Sequence, residues 1–129
     1  MAQEEKSLLM KDLCSRLPYG IKVEIISYGQ EALKPWFGEL SCKDLDCFIH
    51  DIAYESIKPY LRPMSSMTEE ERKEYNEYLF YGASIGLMSN TETAYELIDW
   101  LNKNMFDYRG LIPLGLAIEV TEENNPYED

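Results

Sequence analysis

One histidine, His50, and three cysteines, Cys14, Cys42 and Cys47, are all the chain holds for imidazole or thiol chemistry. No CxxC pair occurs, so the usual mark of a structural zinc site is missing. Neither GxxxxGKS/T nor GxGxxG is present, and no glycine-rich loop is laid out to cradle phosphates. No Ser or Cys sits in a recognisable nucleophile motif. No apolar run reaches the length of a membrane span. The first residues, Met1-Ala2-Gln3-Glu4-Glu5-Lys6, carry no basic stretch followed by an apolar one, so no secretory signal is expected. Positive charge is scarce: 12 Lys and Arg against 24 Asp and Glu give a formal net charge of −12. That balance disfavours direct binding to a phosphate backbone. An odd number of cysteines without a signal implies free thiols in a reducing, cytoplasmic setting.

The composition that remains is globular. A hydrophobic content of 45% is too high for a disordered chain. The 129 residues suit one domain, 1–129, with a modest core and fraying tails at 1–6 and 122–129. The excess is aromatic: ten Tyr and two Trp, too many for a core of this size. Tyrosine is enriched at interfaces because it offers a large rigid surface with a polar tip. The plainer reading is that half-buried tyrosines line a seam between sheet and helices.

The clearest boundary is the stretch from Ile57 to Glu71. Ile57, Pro59 and Leu61 alternate with Lys58, Tyr60 and Arg62, the period of a half-buried strand. Pro59 cannot donate to a ladder, so this strand belongs at an edge or turns its missing N–H outward. Pro63 stops it. Thr68-Glu69-Glu70-Glu71 then reads as a capping box opening a helix over 69–81, with Gly82 just past its end.

Upstream, Leu9, Leu13 and Leu17 place one apolar face on a helix over 7–17, with Ser7 as N-cap and Cys14 as a small core residue. Ile21 to Ile25 alternates as a strand, and Ser27 to Gln30 is a turn signal. Residues 36–42 read as a second strand, 43–46 as a turn and 47–50 as a third strand. Residues 83–90 have no period and read as a loop. Ala94, Leu97, Ile98, Leu101 and Met105 define a helix over about 91–104, with Trp100 off the stripe. Asp107 caps a short turn that Gly115 ends, and 116–118 returns along the sheet. The expected fold is α+β. An antiparallel β-meander or small SH3-like barrel, about 20–62, is packed by an N-terminal helix and two to three C-terminal helices.

Cys42, Cys47 and His50 form C-x4-C-x2-H, and Cys14 is a possible fourth zinc ligand. If 47–50 is a strand, Cys47 and His50 point to opposite faces, and structural thiols are the expectation. His50-Asp51 suggests a base with its orienting carboxylate, but neighbours along a strand diverge. Asp44 and Asp46 lack the remaining spacing of a calcium loop. No catalytic, cofactor-binding or metal-binding residue is therefore assigned.

Three blocks carry a resemblance: Lys6 to Gly20, Ile57 to Tyr75 with its LRPMSSMTEEE core, and Phe106 to Ala117. Together they cover about half the chain. They resemble a group of small uncharacterised proteins from gut anaerobes of the Bacteroides type and their phages or mobile elements. That group has no assigned activity, so the resemblance implies only a bacterial or phage setting. The expected function is a non-catalytic interaction or accessory protein with a protein partner and no cofactor, direct nucleic-acid contact or membrane contact. Two alternatives stand beside it. One is an acidic inhibitor that occupies a nucleic-acid-binding site on a partner, using Glu69, Glu70, Glu71, Glu74 and Glu77. The other is a small metal protein or enzyme built on Cys42, Cys47 and His50.

Overall fold

The computed structural model describes residues 3–27, 35–50, 54–84 and 91–127. In chain order the helices are α1 (Gln3–Arg16), α2 (Cys42–Ile49), α3 (Glu69–Ser84) and α4 (Thr91–Lys103). The strands are β1 (Lys22–Ser27), β2 (Trp36–Glu39), β3 (Tyr54–Leu61) and β4 (Ile118–Glu119). They form one four-stranded sheet in the order β2-β1-β3-β4, antiparallel except for the parallel β3–β4 pair.

The α+β class holds, but the meander and the SH3-like barrel do not. The sheet is open, and β1 lies between its two sequence successors. Because β2 and β3 both run against β1, they run parallel to each other, and parallel strands need a crossover connection. Helix α2 supplies it, where a turn and a third strand over 47–50 were expected. Its start is fixed by a capping box: the Ser41 hydroxyl accepts from the Asp44 N–H at 3.1 Å, and Asp44 accepts from the Ser41 N–H at 3.2 Å. Leu45 and Phe48, three apart, are the buried side chains of that helix.

Helices α1 and α2 share one face of the sheet. Leu9 and Leu13 of α1, Leu45 and Phe48 of α2, and Val23, Ile25, Ile57 and Leu61 of the strands form one buried cluster. Leu111 and Leu116 of the C-terminal segment close it. Burying side chains of this size contributes roughly 1.5–3 kcal/mol each. The opposite face carries Lys22, Glu24, Phe37, Glu39, Lys58 and Tyr60. Pro59 behaves as its chemistry requires. The Leu40 N–H donates to the Ile21 carbonyl at 2.9 Å, so Ile21 and Val23 face β2. By alternation Pro59, opposite Val23, turns its nitrogen away from β1, and the β4 ladder begins only at Tyr60.

Helix α1 runs from Gln3, so Ser7 lies inside it rather than capping it, and Cys14 is exposed rather than in the core. Leu9, Asp12, Leu13 and Arg16 form its buried face. Asp12 and Arg16 are both fully buried and paired at 2.9 Å. Arg109 donates to the other Asp12 oxygen at 2.9 Å, and Arg16 Nη2 donates to the Phe106 carbonyl at 2.6 Å. Both guanidinium groups lie over the Tyr108 ring.

The α3–α4 pair stands off this core. None of the α3 side chains from 69 to 79 is buried. Trp100 anchors the pair by stacking on Tyr75, packing on Tyr78 and meeting Phe106 at 5.6 Å between ring centroids. Its Nε1 donates to Glu74 at 2.9 Å. Leu101 and Met105 of the expected α4 stripe are buried, whereas Ala94 and Ile98 are exposed. Gly82 and residues 83–84 continue α3 instead of ending it. The turn at 28–30, the segment 31–34, Asp51 and the loop at 85–90 lie outside the described residues.

The C-terminal segment is tied down through Tyr127, where fraying was expected. Its hydroxyl accepts from the Lys22 N–H at 3.1 Å and donates to the Tyr60 carbonyl at 2.8 Å. Those two main-chain groups would otherwise form the next β1–β3 rung, so the phenol is wedged into the ladder end. Burial pushes the Tyr127 phenol well above its ordinary value.

Two substitutions test these ties by urea unfolding. Asp12→Asn leaves the buried Arg16 charge without its counter-ion and is expected to cost about 3 kcal/mol. Tyr127→Phe strands one N–H and one C=O and is expected to cost about 2 kcal/mol, with an unchanged midpoint counting against the wedge.

Candidate interaction surface

Strand β2 is the edge of the sheet, and its four residues are Trp36, Phe37, Gly38 and Glu39. Leu40 faces β1, so Gly38 and Trp36 face it too, and the main chains of Phe37 and Glu39 face outward. Neither residue has a hydrogen-bond partner on that side among the described residues. Trp36 is 49% exposed and Phe37 54% exposed, one on each face of the strand. An edge with unpaired N–H and C=O groups is a ready template for another strand.

Gly38 leaves room for the Trp36 indole. A Cβ at position 38 would meet Cη2 of the Trp36 indole at 2.6 Å, so the ring lies over the glycine. On the other face Phe37 approaches Tyr60, with ring centroids 6.3 Å apart. Beside them is a hollow of about 400 Å³ that also takes in Lys22 and Asn125. Burial, followed by the charge of Glu24, raises the Tyr60 phenol.

A second concavity, about 710 Å³, lies where β3 ends against the start of α3 and the end of α4. Its polar groups hold the structure together. Arg62 donates twice to Glu71, at 2.8 and 2.6 Å, and once to the Ser66 carbonyl at 3.2 Å. The same guanidinium sits 4.2 Å above the Phe106 ring. The Thr68–Glu71 capping box forms with both bonds, as the sequence predicts. Met105 closes α4 with φ 61°, a left-handed conformation that costs a non-glycine residue on the order of 1 kcal/mol. Two bonds hold it: Met105 N–H to the Asn102 carbonyl and Phe106 N–H to the Leu101 carbonyl.

Of the residues weighed for metal or base chemistry, Cys42, Asp44, Asp46, Cys47 and His50 fall on α2 or its C-cap, Cys14 falls on α1, and Asp51 lies outside the described residues. Because 42–49 is helical, the strand alternation that separated Cys47 from His50 does not apply. His50 is exposed and lies 3.3 Å from Asp46. Cys42 is exposed, Cys47 is partly buried, and Cys14 sits on α1. Among the described residues no three His, Cys, Asp or Glu side chains converge to hold a metal ion. Of the five glutamates on α3, Glu71 is bound to Arg62 and Glu74 to Trp100. Glu69 and Glu77 share a surface with Arg72 and Lys73. No helix among the described residues is long and apolar enough to cross a membrane.

The hydrogen bonds from Arg62 hold the Glu71 carboxyl below its ordinary value of 4.5, against the opposing effect of burial. Its folded-state value is therefore the lower one. The stability it contributes is full above about pH 4.5 and is lost as pH falls through the folded-state value. Glu71→Gln is expected to flatten the loss of stability below pH 4.5, as measured by denaturation at a series of pH values. An unchanged acid profile would count against the pair.

No protein-family model matches the chain, and no curated protein or solved structure matches it.

Proposed function

We propose that this is a non-catalytic interaction protein that engages a protein partner through the β2 edge. The observation that supports this most is that the outward main chains of Phe37 and Glu39 have no partner among the described residues, beside the half-exposed Trp36 and Phe37 side chains. A rigid aromatic surface beside an unpaired edge suits strand addition, in which main-chain bonds give affinity and side-chain pockets give selectivity. The net charge of −12 weighs against a phosphate-backbone ligand. The acidic-inhibitor reading is less well supported, since Glu71 and Glu74 are occupied within the molecule. In the bacterial or phage setting that the sequence resemblance implies, such a surface suits an accessory protein of a mobile element.

A photo-cross-linking side chain placed at Phe37 tests the reading in living cells. A discrete adduct with another protein is expected at position 37 and not at Lys11, on the exposed face of α1. Identical patterns at the two positions, or no adduct at 37, would overturn it.

A further inference from the structure

The chemistry of the partner segment follows from what β2 presents. Phe37 and Glu39, whose outward main chains have no partner among the described residues, carry their side chains on the same face of the sheet. A strand added antiparallel to β2 places one residue directly opposite each of them, with Cβ atoms about 4.5–5.5 Å apart. Opposite Phe37, an aromatic or β-branched side chain is favoured. Opposite Glu39, a positive charge is favoured and a negative one disfavoured. The Glu39 carboxylate is exposed and has no ion-pair partner among the described residues. The residue between these two lies opposite Gly38, where it meets the Trp36 indole rather than a side chain of its own partner.

We propose that the occupant is an extended segment of another protein with the pattern basic–any–apolar, read from N to C and added antiparallel to β2. This rests on the interaction reading above and gives it a sequence rule. Charge complementarity supports a foreign segment over a second copy. The strand Trp36-Phe37-Gly38-Glu39 has no Lys or Arg to set opposite Glu39, and each copy carries a net charge of −12.

The test uses the full chain, isotope-labelled for NMR, and the capped peptide Thr-Lys-Thr-Val-Thr-Lys-Thr-Val-Thr. Binding is expected to slow hydrogen exchange at the Phe37 and Glu39 amides and to shift the Trp36 indole resonance while leaving that of Trp100 in place. Replacing both lysines of the peptide by glutamate should weaken binding about fivefold, the scale of one cross-strand charge pair. Glu39→Lys should reverse that preference. Methylating the peptide nitrogens of its Lys and Val residues, which face β2, should abolish binding. Equal protection by the lysine and glutamate peptides overturns the charge rule while strand addition stands. No protection by either peptide, or no effect of N-methylation, overturns strand addition itself. A free chain that sediments as a dimer with those two amides already protected assigns the edge to a second copy and overturns the proposal.

Discussion

Asp12 has no exposure to solvent, and both of its oxygens are taken by arginines. Removing a carboxylate from water is costly, and only close, well-directed partners offset that cost. Arg16 supplies one partner from the next turn of α1, and Arg109 supplies the other from the C-terminal segment. Arg16 in turn reaches the Phe106 carbonyl, and Arg109 reaches the Ser15 hydroxyl. The first helix and the segment after α4 are thus joined by charge-assisted bonds that are fully buried at Asp12 and Arg16 and partly exposed at Arg109. One donor, Arg16 Nη1, is buried with no partner among the described residues.

A chain of rings and one cation extends outward from that joint. Arg62 lies over Phe106, Phe106 packs on Trp100, and Trp100 meets Tyr75 and Tyr78. Through it α3, with no buried side chain from 69 to 79, keeps its position beside the core. The tyrosine-rich composition is partly explained here, because these rings form a seam between elements rather than the inside of a core. Trp36 and Phe37 lie apart from that seam, and Phe37 meets Tyr60 on the other face of the sheet.

Elements fixed by neighbours in sequence were legible. The Leu9–Leu13 face, the Val23–Ile25 and Ile57–Leu61 alternations and the Thr68–Glu71 box need nothing distant to act. Asp107, accepting from the Leu111 and Ile112 N–H groups, was equally readable. The sheet order was not, because pairing of β1 with β3 depends on a crossover that local pattern does not record. The α2 error has a narrower cause. Cys47, Phe48 and Ile49 form a short apolar run that fits a buried strand or a helix segment equally well, while the Ser41–Asp44 box that opens the helix uses Asp in place of the usual Glu or Gln. The buried ion pair left a signal that went unread. Asp12 and Arg16 share the i, i+3, i+4, i+7 row of Leu9 and Leu13, so they had to be buried with them. For the β2 edge only Trp36 and Phe37 were visible, since an unpaired N–H has no sequence signature.

The ion pair on α1 waits for residues that lie far along the chain. Phe106 is 90 positions beyond Arg16, Arg109 is 97 beyond Asp12, and Tyr127 is 105 beyond Lys22. A nascent chain emerging from the ribosome therefore carries an acid and a base that keep their water until Phe106 and Arg109 have been made. Such remote closure slows folding and withholds cooperativity from any N-terminal fragment.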